Sequence, residues 1–351
     1  MTINEIIEYV LYTPTNTNKV ILKGMIEELI KQSSEEEEAT EVTTPDAIAE
    51  LLTSDEPEVT IKLASNITLS DNLSIPAGKT VNFDLNGKKI NTNGKQLLVS
   101  GGSLVISDES GTGAITGTGR PIAVDNGELT LESGVVESTN DCAITTRNSG
   151  KVIVNGGTIK AQEVGILATT NSEVVMNDGL ITTKDNFCIG GNGNSGQGGT
   201  IITINGGKLD AHIQSSGYVA CGVYQPQDGT LNINGGEITA ENGCGVCIRA
   251  GVLNVTGGTI IGTGNSELVG KVGDSRIVVG PEGIVYDQAS HYPDSQNLAV
   301  NVSGGIIVGI NTAIDDISDE GHESSINISG GTQIPSMETE TIVYDGGGVQ
   351  P

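Results

Sequence analysis

"KVIVNGGTIKAQEVGILATTNSEVVMNDGLITT", Lys151 to Thr183, holds one phrase written twice: apolar, any, apolar, Asn, Gly or Asp, Gly, any, apolar. Aligned on its second glycine, the phrase recurs at Gly134, Gly157, Gly179, Gly207, Gly236, Gly258, Gly283, Gly305 and Gly331, with weaker copies at Gly87 and Gly113. The steps between the clear copies are 23, 22, 28, 29, 22, 25, 22 and 26 residues. A strand-like repeat of this length, continued to the end of the chain, signals a solenoid.

The columns of the alignment give the core. Five residues before the glycine stand Leu129, Val152, Val174, Ile202, Leu231, Leu253, Val278, Val300 and Ile326. The column three before is apolar except at Gly280; two after come Val136, Ile159, Ile181, Leu209, Ile238, Ile260, Val285 and Ile307, with Ile334 displaced by one. Side chains alternate faces along a strand, so these columns share one face and stack on the next coil about 4.8 Å away. Asn155, Asn177, Asn205 and Asn234 form an outward column in which amides can hydrogen-bond from coil to coil, beside a glycine that needs a left-handed turn.

Ile144, Ile166, Ile189, Val223, Val246 and Ile314 mark a third strand. Two residues earlier, Cys142, Val164, Phe187, Cys221, Cys244 and Thr312 read as inward. The residues between, Ala143, Gly165, Cys188, Gly222, Gly245 and Ala313, then read as an outward column of small side chains. Either the strand bends there or another chain packs against it. The fold expected is mainly β: a single-stranded right-handed parallel β-helix of about ten to eleven coils, three strands per coil, over residues 58–345, with a tail at 346–351. Longer steps place loops at Gly190–Gly199, His212–Tyr218 and Asp315–Glu320, and between Gly258 and Gly305 the third strand reads as replaced by Val285–Asn297.

Before the repeat, residues 2–12 and 19–31 carry apolar residues at helical spacing, an α-helical hairpin over residues 1–32 too small to stand alone. An acidic linker follows at 33–44. Thr44 and Pro45 then start a capping helix within 45–57, as a solenoid's open end requires.

A formal charge of −27 leaves no basic stripe for nucleic acid and disfavours anionic membranes. No signal peptide or membrane-spanning run is read, which suggests cytoplasmic synthesis. Five scattered cysteines do not read as a secreted disulfide framework, although Cys221 and Cys244 stack closely enough to permit a bond, and thiols are expected in a reducing compartment. Cys244 and Cys247 form a lone C-x-x-C, the first read as inward and the second as outward. His212, His291 and His322 lie in separate inserts without ligand spacing, so no metal or cofactor is expected.

An enzyme acting on polysaccharide is the main rival. Glu132, Asp141, Glu173, Asp178, Asp185, Asp210 and Glu237 are scattered over columns rather than paired across a groove, and Arg147 and Arg249 lack an evident acidic cluster in their columns. No catalytic residue is assigned. The aromatic platforms available for a glycan are Tyr218, Tyr224, Tyr286 and Tyr292.

In "LSIPAGKTVNFDLNGKKI" and the "INGG" phrases the body resembles the pectin-lyase-like right-handed parallel β-helices of bacterial surface proteins, a likeness that speaks to fold rather than function. Residues 1–32, "MTINEIIEYVLYTPTNTNKVILKGMIEELIKQ", are similar to the N-terminal segment of head fibre proteins in tailed phages of gut bacteria, crAss-like phages among them. That resemblance implies a non-enzymatic virion protein on the capsid exterior, a homotrimeric fibre exposing loops to bacterial or mucosal glycans. It implies an anchor on the major capsid protein or a capsid-associated protein, for which Ile6, Ile7, Val10, Leu22, Met25 and Leu29 are the candidate contacts. The alternatives are a tailspike-like polysaccharide-degrading enzyme and a bacterial surface adhesin.

Overall fold

The computed structural model describes residues 39–214, 217–265, 267, 269–272, 277–288, 298–319 and 325–335. The chain divides into units 1–40 and 41–351, and the second is the body described here. The expected helical hairpin, with Ile6, Ile7, Val10, Leu22, Met25 and Leu29, lies outside the described residues.

Three parallel sheets wind into a right-handed β-solenoid of about twelve turns, taking 12, 11 and 10 strands respectively. In the regular coils each turn contributes one four-residue strand to each of the first two sheets, as Lys151–Val154 does to the first and Thr158–Ala161 to the second; Ile166–Ala168 lies in the third. Register follows the sequence columns: Leu129 pairs with Val152, Val136 with Ile159, and Ile144 with Ile166. The inward residues Val152, Val154, Ile159 and Ile166 are fully buried. Each such side chain contributes about 1.5–3 kcal/mol on leaving water.

The second glycine of the phrase turns the chain between the first two sheets. Gly157, Gly179 and Gly207 have φ of +73°, +94° and +75°. A Cβ on Gly157 would lie 2.7 Å from Gly134 O on the preceding coil, so both the backbone angle and the stacking demand glycine. The asparagines beside these turns form the expected ladder: Nδ2 of Asn177, Asn205 and Asn234 each donates to Oδ1 of the asparagine one coil earlier, at 2.8, 2.8 and 2.9 Å.

Gly283 does not belong to this column. It has no positive φ, and the strand after Val252–Val255 in the first sheet is Ala299–Val302, with Leu253 paired to Val300. Residues 253 to 300 therefore make one coil of 47 residues rather than two short ones, and Val278 and Gly280 fall in an inserted antiparallel hairpin, Val269–Lys271 with Ile277–Val279. The third strand read as lost is present: Ile284–Tyr286 pairs with Val246–Ile248 on one side and Ile314–Asp316 on the other. At the far end Ile307 pairs with Gln333, so the last inward position of the second sheet is polar and Ile334 pairs with Val308 instead.

The helix Pro45–Thr53 starts where Thr44 Oγ1 accepts from Ala47 N at 3.2 Å. Its Ile48 and Leu52 are buried in the same core cluster as Ile61, Leu73 and Val81 of the first coils. The strand Thr40–Val42 joins the edge of the first sheet within the stretch read as linker. At the last coil Ile326 and Ile328 are 41% and 45% exposed, whereas their partners Val300 and Val302 are buried.

The small column of the third sheet points inward, not outward. A Cβ on Gly165, Gly222 or Gly245 would approach Ile181, Ile238 or Ile260 Cγ2 to 2.4, 2.2 and 2.5 Å, and those isoleucines belong to the second sheet. The next residues, Ile166, Val223 and Val246, are inward as well, so the strand bends at the small residue and the alternation slips by one. Among the described residues this column offers no surface to another chain.

Candidate functional site

The bend sets up the site. Because alternation slips at Gly222 and Gly245, Cys221, Cys244 and Cys247 all end on the outer side of the third sheet, and the reading of Cys244 as inward is corrected. There they join Cys142, Val164, Phe187, Tyr224 and Val285 in a second apolar cluster, separate from the solenoid core. Val219 and Val272 complete it from the inserts, which are tied together where Val219 N donates to Lys271 O at 2.9 Å. Burial pushes the Cys142 thiol up to about 12, and the Asp141 carboxylate beside it adds to the shift.

Next to these thiols sits a fully buried ion pair, Arg249 Nε to Asp287 Oδ2 at 3.1 Å. Arg249 Nη1 donates to Tyr224 Oη at 3.2 Å, and its guanidinium lies 5.4 Å from the Tyr224 ring centroid. Tyr224 in turn packs on Phe187 with centroids 4.8 Å apart. Arg249 and Asp287 stand on successive coils, at residues that follow the paired Ile248 and Tyr286. Arg147 likewise meets Asp125 of the preceding coil at 2.8 Å, on the exposed surface. Asp125 is the ladder partner of Arg147, so the reading that this arginine's column lacks acids is corrected.

The outward carboxylates are committed to neighbouring coils. Glu132 accepts from Asn155 at 2.8 Å, Asp141 pairs with Arg120 at 3.2 Å, Glu173 with Lys151 at 3.3 Å and Glu237 with Lys208 at 2.9 Å. Asp185 accepts from Gln214 N and Asp210 from Thr239 Oγ1, each at 2.8 Å. Asp178 accepts from Gly179 N, closing its own turn.

Glu163 stands apart. Burial, with Asp141 and Asp185 on the coils either side, raises its pKa, while Asp141 is held low because the Cys142 N–H and Arg120 outweigh the cost of burial. His212 bridges two acids, Nδ1 to Glu241 Oε2 at 2.7 Å and Nε2 to Asp210 Oδ2 at 3.3 Å. These contacts outweigh partial burial and raise its pKa.

Of the aromatic platforms, Tyr218 is 39% exposed, while Tyr224 and Tyr286 are buried and present no face to a sugar. Tyr292, His291 and His322 lie outside the described residues. Among the described residues no group of three or more His, Cys, Asp and Glu side chains is placed to hold a metal ion. The fold defines the chain as a right-handed parallel β-solenoid. In comparisons with known proteins, no family model, no curated protein and no solved structure matched the chain.

Proposed function

We propose that this chain is a non-enzymatic structural protein of a virion surface, a capsid-attached head fibre or decoration protein whose β-solenoid carries loops toward glycans or host surfaces. The supporting observation is the use made of the outward acids. Of the seven considered for catalysis, six bind a side chain or backbone N–H of an adjacent coil and one closes its own turn. Their chemistry is spent on holding coils in register, the requirement of a shaft. Anchoring through residues 1–32, trimerisation and the capsid partner rest on the resemblance of that segment alone, because the small column is internal. Deleting residues 1–32 is expected to leave a folded solenoid and remove the protein from purified capsids; a truncated chain still carried on capsids overturns the reading.

One observation favours a polysaccharide-cleaving alternative. Glu163 has a raised pKa and Asp141, on the adjacent coil, a lowered one, the division of labour of an acid and its partner carboxylate. The two residues are neighbours on adjacent coils, where Glu163 N donates to Asp141 O at 3.4 Å. Incubation with host capsular polysaccharide decides: product formed by the wild type and abolished in Glu163→Gln supports cleavage, and an intact polymer supports the fibre.

A further inference from the structure

We propose that Cys221 and Cys244 form an oxidation site in which the two make a single disulfide across adjacent coils. Three observations converge. Cys221 and Cys244 are direct partners in the parallel ladder between Ala220–Gln225 and Gly243–Ile248. Ladder neighbours stand about 4.8 Å apart, inside the Cα range that a disulfide spans. The slip at Gly245 sets Cys244 on the outer face beside Cys221, while Cys247, three residues along the same strand, stands about 10 Å from Cys244 by the rise of an extended chain, beyond the reach of a disulfide. Finally, Cys221 and Cys244 are both fully buried in the outer apolar cluster, where the Cys221 thiol donates to Val223 O at 3.0 Å, a bond that oxidation would replace.

The other two cysteines stand apart from this group. Cys188 belongs to the inner core, where its Sγ donates to Ile181 O at 3.3 Å. Cys142 lies on the outer face, but the coils of Val164 and Phe187 intervene before Cys221. Selectivity within the chain therefore follows from the stacking order.

Both thiols are fully buried, and their surroundings hold them in the protonated form. Oxidation accordingly requires a local opening of the apolar cluster that includes Val219 and Val272. With diamide as oxidant, one thiolate adds to the N=N bond and the second attacks that sulfur, expelling the reduced hydrazine. The two thiols lose two electrons and two protons in all, and both pass to the diazene.

The test treats the folded full-length chain with diamide, quenches with acid, unfolds in urea, alkylates with N-ethylmaleimide and measures intact mass and peptide maps. The free thiols are expected to fall from the five of the reduced protein to three, with the bond mapped to Cys221 and Cys244. Cys221→Ser and Cys244→Ser are each expected to lose no thiols, and Cys247→Ser to keep the Cys221–Cys244 bond. Five alkylated thiols in the treated wild type overturn the proposal. So does a bond that includes Cys142, Cys188 or Cys247, or a link between chains. The wild-type map stands alone should a serine variant fail to fold.

Discussion

The coils from Glu128 to Thr183 and those from Phe187 to Asp319 are built on the same three strands, yet they finish their outer surfaces differently. In the first group the steps are 23 and 22 residues, and apart from Cys142 and Val164, which belong to the outer apolar cluster, the outer face carries paired charges and amides in contact with water. In the second, the steps reach 28, 29 and 47 residues, and the outer face of the third sheet is sealed by apolar residues from the inserts. At Val219 and Val272 extra chain length has become a second layer. The exposed face answers to water and salt, whereas the sealed face obeys the rules of a protein interior.

The sharpest way to break that distinction is the pair of arginines. Arg249→Met leaves Asp287 charged and buried, and is expected to cost about 3–5 kcal/mol in urea denaturation, while the double change Arg249→Met with Asp287→Leu recovers much of it. Arg147→Met breaks an ion pair whose side chains are 65% and 37% exposed, and should cost less than about 1 kcal/mol. Equal losses at the two sites would show that the second layer is not a sealed interior.

The bend glycine comes next. Gly222→Val drives side-chain atoms into Ile238 and the Gly245 carbonyl, and should cost about 2–3 kcal/mol. Gly196→Val, in the insert Gly190–Gly199, meets nothing within 4 Å and pays only for its φ of +79°, about 1–2 kcal/mol. Differential scanning calorimetry that ranks the two in the opposite order would remove the inward bend as the origin of the outer thiol cluster.

A smaller effect belongs to the regular surface. Asn205 donates to Asn177 and accepts from Asn234, so Asn205→Ala removes two exposed rungs and should cost about 1 kcal/mol. Asn205→Asp keeps the acceptor and loses the donor, and should fall between the two in thermal denaturation. An aspartate variant no better than alanine would deny the ladder its direction.

Where each position has a single structural duty, the fold was legible in the residues: Gly157, Asn177, Ile159 and Ile166 repeat because every coil poses the same problem. Gly283 misled because it too follows a short apolar run, and the glycine at position 280 in an otherwise apolar column was the sign that this copy is not a coil. The Arg249–Asp287 pair was invisible for a related reason. Its members are 38 residues apart in sequence although they lie on neighbouring coils, and a search at the 22-residue period passes over them. The face of Cys244, unlike that of Cys247, depended on a one-residue slip at Gly245, where the choice between a bend and a docking surface was set by the neighbouring isoleucine rather than by the strand's own residues.

The smallest expected effect lies at the border between the two regions, where His212 leaves the second sheet for the insert that ends at Val219. The contacts to Glu241 and Asp210 raise the folded pKa of His212 above its ordinary value of 6.5. A raised pKa means that the folded state binds the proton more tightly, so the stabilisation is complete below about pH 6.5 and is lost as pH rises through the folded value. With the imidazole 38% exposed, water and salt screen the interaction, and the effect should shrink further at high ionic strength. Melting temperatures of the wild type and of His212→Gln are therefore expected to differ most at mildly acidic pH and to converge above the folded pKa, which an NMR titration of the imidazole measures directly. A constant gap across that range would mean that His212 holds the start of the insert by packing alone, and that the second layer owes nothing to the charged surface beside it.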